Sequence, residues 1–231
     1  LFFCLGWIAK KYPEIVRRID NHGFEIGSHS HMHQLLYNLS KNEVEDDLIK
    51  SISVLQDITG KKIRCFRAPG FSIVNSTKWV FDILFRNGIE IDCSIFPAAR
   101  AHGGIPTFAK SSPSLVSHNG VKIKEFPINT VQIFNNNFVF SGGGYFRLLP
   151  YNLIKHLTAK SEYVMSYFHP RDFDSSQPVI NELSLLRKFK SYVGLKHSLN
   201  KLQKWTSDFH FIDIEDANSQ IDWSKISIID L

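Results

Sequence analysis

The chain has 231 residues, 43% apolar and 13% aromatic, which is enough for a sizeable core and argues against wholesale disorder. Its net charge of +5 and pI of 9.0 come from scattered lysines and arginines, without the basic run that a nucleic-acid partner needs, though compatible with an anionic or zwitterionic glycan. No apolar run reaches the roughly 18 residues of a transmembrane segment, and three widely spaced cysteines, Cys4, Cys65 and Cys93, favour a reducing compartment over a disulfide framework, hence cytoplasm ahead of periplasm.

Residues 1–5 read as a buried strand. They carry neither an initiator Met nor the basic region of a signal peptide, so the chain is expected to be truncated at its N-terminus. Ile15, Val16 and Ile19 predict a helix over 13–21, with Gly23 beyond its end. A strand over 24–27 leads into Ser28-His29-Ser30-His31-Met32-His33. Ser40 and Glu43 form a capping box for a helix that carries Val44, Leu48, Ile52, Leu55 and Ile58 and stops at Gly60. A strand over 63–66 ends at Arg67-Ala68-Pro69-Gly70, a helix spans 76–87, and a strand over 89–91 ends at Asp92. Asn119-Gly120 between apolar runs predicts a type I′ hairpin. Beyond Gly142-Gly143-Gly144, a helix follows Pro150 to about 160, a strand over 163–168 ends at His169-Pro170, a basic helix covers about 181–205, and a last strand lies over 209–212. Repeated strand–helix units predict an α/β fold with parallel strands.

His29/His33, Arg67, Asp92 and His169 each follow a predicted strand. In a (β/α) barrel such ends converge on one face, where active sites sit. Two imidazoles four residues apart are within reach of one ion, and zinc suits two such nitrogens plus a carboxylate and water. The alternative for this pair is a polar loop. Arg67 is expected to orient a carboxylate in a two-pronged contact, or else to be a surface arginine before a turn. His169 fits a general acid, or a structural histidine. Asp92 fits a cap, a ligand or a hydrogen-bond partner, with a structural or supporting role favoured.

Taken in order, these clusters resemble the polysaccharide deacetylase family (the NodB-homology domain, carbohydrate esterase family 4). His29-Ser30-His31-Met32-His33 is similar to its His-Ser/Thr-x-x-His motif, Arg67-Ala68-Pro69-Gly70 to its Arg-x-Pro-x motif, Asp92-Cys93-Ser94 to its second aspartate motif and His169 to its late histidine. Leu5-Gly6-Trp7, Ser94-Ile95-Phe96-Pro97, Glu125-Phe126-Pro127, residues 142–150 and Tyr167-Phe168-His169-Pro170 resemble the branch found in exopolysaccharide and exosortase loci, with a C-terminal extension of the DUF3473 type.

The resemblance implies a distorted (β/α) barrel, a single domain over 1–231 with its catalytic core at about 1–97 and 160–170. Residues 98–160 and 171–231 are then branch-specific. It implies a metal-dependent hydrolase that removes N-acetyl groups from a bacterial polysaccharide. The divalent metal, zinc by default, is held by His29 and His33; His169 is the acid, and Arg67 positions the catalytic base. The first aspartate motif, which supplies base and third ligand, lies before the segment matching Leu1-Phe2-Phe3 and has no counterpart in this chain. Tyr145, Phe146, Arg147, Pro69 and Phe71 are expected to contact sugar, with core packing the alternative for Phe71 and Phe96 and a fold role the alternative for the glycines. A non-catalytic glycan-binding protein and an amidohydrolase acting on a small cyclic amide are the competing functions.

Overall fold

A computed structural model describes residues 1–98, 103–108, 110–133 and 136–231. Its contacts separate two units, Leu1–Ile128 with Asp213–Leu231, and Asn129–Ile212. Residues 103–128 pack with the first unit.

In chain order the first unit holds β1 (Phe2–Cys4), α1 (Gly6–Lys11), α2 (Pro13–Asn21), β2 (Ile26–Ser28), α3 (Lys41–Thr59), β3 (Cys65–Phe66), α4 (Val80–Arg86), β4 (Ile91–Asp92), β5 (Ser114–His118) and β6 (Val121–Glu125). The second holds β7 (Val131–Ile133), β8 (Asn136–Phe138), α5 (Gly143–Leu148), α6 (Tyr151–Lys160), α7 (Leu185–Tyr192) and α8 (Leu195–Asp208). The chain then returns to the first unit with α9 (Ile214–Gln220) and β9 (Ile228–Asp230).

Local chemistry explains the best-defined elements. Ser40 Oγ accepts from Glu43 N at 3.3 Å, and Ser40 N donates to Glu43 Oε2 at 2.8 Å, so both ends of the box are closed at the start of α3. Gly60, at φ +67°, terminates it in the left-handed conformation. Val44, Leu48, Ile52 and Leu55 bury one face against the sheet core. Asn119 and Gly120 both have positive φ, 48° and 83°, as a two-residue hairpin turn between β5 and β6 requires.

The strands form one seven-stranded sheet in the order β1-β2-β3-β4-β6-β5-β9. It is the mostly parallel sheet of a mixed α/β fold. Pairing runs Cys4↔Ser28, Ser28↔Phe66, Phe66↔Asp92 and Asp92↔Glu125, all parallel. The carboxyl ends of β1, β2, β3, β4 and β6 therefore lie side by side, the usual place for a site in such a sheet.

Four sequence expectations are corrected. The helix over 76–87 is a 3-10 turn, Asn75–Thr77, followed by the shorter α4. Among the described residues, the stretch 163–168 makes one bridge, Tyr167 to Gly142. There Asn129 Oδ1 accepts from Met165 N and Ser141 Oγ donates to Met165 O, so side chains satisfy the backbone in place of a ladder. The basic helix breaks into α7 and α8 at Gly194, at φ +70°. Residues 209–212 form no strand, because Phe209 and Phe211 pack onto the second unit's core, where the Phe211 ring lies 4.6 Å from that of Trp205.

Candidate active site

The histidine loop leaves β2 at Ser28. It is not a helical turn, as the four-residue spacing suggested, but an irregular loop with positive φ at Ser30 (69°) and His33 (58°). Side chains hold that conformation. Ser30 Oγ accepts from His33 N at 2.9 Å, and Asp47 on α3 accepts from His31 N at 2.6 Å and Met32 N at 3.0 Å. His31 points away from the pair, with its Nδ1 buried against Gly6, where an added Cβ would stand 2.5 Å from it. Gly6 is therefore needed for this close approach.

The His29 and His33 rings stand 5.1 Å apart at 70° to each other. His29 Nδ1 lies 2.7 Å from the Arg67 carbonyl oxygen. A carbonyl only accepts, so Nδ1 carries the proton and the ring's lone pair is on Nε2. This is the second contact that metal-bound histidines make as a rule. His29 Nε2 thus fits a metal, with the His33 ring beside it. Among the described residues no third His, Cys, Asp or Glu completes a set with them.

Arg67 follows β3. Its Nε–H donates to Cys93 O at 3.0 Å, and its guanidinium lies over the Phe3 ring at 4.5 Å and the Phe71 ring at 5.6 Å. Aromatic faces and one carbonyl thus hold it. Beneath it, Asp92 and Glu125 are fully buried on neighbouring strands. Ser94 donates to Asp92 through Oγ at 2.5 Å and N at 3.2 Å, and Ile95 N donates to Glu125 Oε1 at 3.0 Å. Burial pushes both carboxyls upward, and the neighbouring Asp92 raises Glu125 further. Asp92 is thus held in the interior by Ser94.

In the second unit the three glycines start α5. Gly142 bridges to Tyr167, and a side chain there would collide with the Tyr167 carbonyl at 2.3 Å. Arg147 sits in the interior, where its Nη atoms donate to the carbonyls of Lys190, Ser191 and Val193 and its Nε stands 3.0 Å from Asp172 Oδ1. Asp172 Oδ2 accepts from His169 N at 2.9 Å and stands 3.6 Å from His169 Nδ1. Burial alone would raise Asp172, but its bonds from His169 and the Arg147 charge hold it below the usual range. His169 itself is exposed.

The residues expected to contact sugar differ in exposure. Phe146 has no exposed surface and packs between Phe168 and Trp205. Arg147 is spent on interior carbonyls. Pro69 is buried, and Phe71 is buried 5.3 Å from the Phe96 ring. Only Tyr145 of that set offers a ring to solvent. Sequence reasoning missed Asp47, Glu125 and Asp172 as supports. The first is one of several acidic residues on a helix, with no signal of its own; Glu125, in Glu125-Phe126-Pro127, was the legible one. A cavity of about 480 Å³ lined by Asp20, Glu25, Lys61, Arg64 and Glu215 lies at the amino ends of β2 and β3, away from these histidines.

The family model described as "Polysaccharide deacetylase" matches residues 1–83, and the model "Domain of unknown function (DUF3473)" matches residues 93–218, more than half of the chain. A peptidoglycan-N-acetylglucosamine deacetylase of Bacillus cereus is 37% identical over 79 residues, which cover 34% of this chain and 29% of that protein. A chitooligosaccharide deacetylase of Azorhizobium caulinodans is 38% identical over 69 residues, 29% of this chain and 33% of that one. The solved structure of the polysaccharide deacetylase Bc1974 from Bacillus cereus aligns with a TM-score of 0.36 at 23% identity, covering 41% of this chain and 47% of that one. The chain spans about a third of the length of the curated relatives it matches. It belongs to the polysaccharide deacetylase family, in the branch that carries the DUF3473 domain.

Proposed function

We propose that this chain is part of a metal-dependent hydrolase that removes N-acetyl groups from sugar residues of a bacterial polysaccharide, an exopolysaccharide or a cell-wall glycan. The observation that carries the reading is the His29 Nδ1–H bond to the Arg67 carbonyl beside the His33 ring. It is the preparation a histidine needs to ligate through Nε2. His29 and His33 are two ligands of a divalent ion, zinc by default, since two imidazoles and one carboxylate suit it. When bound, such an ion polarises a carbonyl and makes water acidic enough to act near neutral pH.

The chain's own residues do the rest. Asp47 and Ser30 hold the loop so that both rings share one side. Arg67, fixed by Phe3, Phe71 and Cys93 O, presents a positive charge at the strand ends, where it orients the carboxylate base. By the family motif order, base and third ligand come from a segment ahead of residue 2. His169 as proton donor to the departing amine rests on its motif alone. Tyr145 is the candidate sugar-stacking ring.

The test is acetate release from N-acetylglucosamine oligomers by zinc-loaded protein. It compares this chain with the same chain preceded by a segment that carries the aspartate motif. The longer protein is expected to release acetate, and His29→Ala to abolish it. Binding of the oligomers without release by the longer, metal-loaded protein contradicts deacetylation of this substrate. It would favour the glycan-binding reading.

A further inference from the structure

Asp92 ends β4 and Glu125 ends β6. The two are register partners on parallel strands, so their side chains leave the sheet on the same side at neighbouring positions. Neither has any exposed surface. Three donors reach them: Ser94 Oγ and N serve Asp92, and Ile95 N serves Glu125 Oε1. Among the described residues no donor reaches the buried Glu125 Oε2. The cation whose charge reaches both carboxyls is Arg67, one strand away beside Cys93. The other titratable groups around the pair are the Cys93 thiol, fully buried between them in sequence, and more distantly Glu25. On the far side of β6, Glu125 faces Ser114, whose hydroxyl donates to Ser112 O.

Two bare carboxylates against one guanidinium leave a net negative charge sealed from water, which is prohibitively costly. One proton removes that charge and turns the partnerless Oε2 into a donor. We propose that Glu125 is a positioning residue: it is protonated in the folded protein and donates to Asp92, so that the pair carries a single negative charge that fixes the Arg67 guanidinium. The inference rests on the functional reading only in calling Arg67 a site residue. The direction in which burial moves both carboxyls agrees with it.

The experiment needs no deacetylase activity, so its failure is separable from failure of that reading. The infrared C=O stretch of a protonated carboxyl is recorded at about pH 8, where ordinary carboxyls are ionised. In parallel, hydrogen exchange of the Arg67 side-chain Nε–H is followed by NMR. The wild-type chain should show the band and Glu125→Gln should lose it. Because the amide also donates to Asp92, Glu125→Gln should keep Arg67 protected and keep its melting temperature. Glu125→Ala should exchange Arg67 about tenfold faster, the scale of a lost supporting contact. Asp92→Asn should also lose the band, since the one remaining carboxyl then ionises beside Arg67. A wild type without the band, or a Glu125→Gln variant that exchanges Arg67 as fast as the wild type does with its side chains unfolded, overturns the proposal. Glu125→Gln and Asp92→Asn decide it even if Glu125→Ala does not fold.

Discussion

His29 owes its tautomer to one carbonyl, and that carbonyl belongs to Arg67. The backbone of Arg67 therefore orients a metal ligand while its side chain, between the rings of Phe3 and Phe71, addresses the base. Arg67→Lys keeps the charge and the backbone bond but loses the planar stack and the Nε–H to Cys93 O. It should leave zinc affinity within a few-fold and lower acetate release by about 10- to 100-fold, as lost supporting contacts do. Equal losses in zinc binding and release would mean that Arg67 only holds the loop. Arg147 is the corresponding residue of the second unit. Removing its side chain leaves Asp172 buried without its ion-pair partner and deprives three carbonyls of a donor. Arg147→Ala should cost about 3–5 kcal/mol in urea unfolding; a loss below about 1 kcal/mol would place Arg147 among exposed, weakly coupled pairs. Asp172 also sets a sign for pH. Its folded-state pKa is depressed, so its contribution is present above the usual carboxylate range and lost as pH falls through the folded value. Asp172→Asn should flatten the acid limb of stability against pH, and an unchanged acid limb would contradict the assignment.

At the level of elements, α3 combines the capping box, a buried stripe and the anchor Asp47, so its register sets the position of the histidine loop. Ser40→Ala removes one side of the box and should destabilise by about 1 kcal/mol in thermal or urea unfolding; no loss would mean that the helix end frays in solution. The same elements explain what was legible in the sequence. Ser40, Glu43 and Gly60 announce α3, and Asn119-Gly120 announces the hairpin, because those signals are local and each has one mechanical meaning. The stretch 163–168 reads as the mostly apolar run of a strand, yet Asn129 and Ser141, distant in sequence, bond the backbone of Met165. Gly194 reads as one glycine within a basic helix, but its positive φ and the Arg147 carbonyl 2.2 Å from any added Cβ make it a break. Tertiary contacts of this kind leave no mark in a local window.

At the scale of the whole molecule, each unit has its own core: one around Leu55, Phe81, Leu84 and Ile95, the other around Phe140, Phe146, Ile154 and Trp205. Of the aromatic residues read as sugar contacts, Phe146 belongs to the second core and Phe71 is buried. Exposure, which depends on the complete fold, separates Tyr145 from Phe146 where sequence does not. By contrast the motifs His29/His33, Arg67 and Asp92 were legible as strand ends, and parallel pairing brings β2, β3 and β4 side by side. Asp47 and Asp172 were not legible as supports, because they act through pairings that only folding creates. The account as a whole stands on the histidine pair. Its most direct test is a zinc titration of this chain, of His29→Ala and of His33→Ala, with bound metal counted and its ligands read by X-ray absorption. The account predicts one zinc per wild-type chain held by two imidazoles, with affinity falling by more than about 100-fold in each variant. Equal affinity in all three proteins, or zinc bound without imidazole, would contradict it.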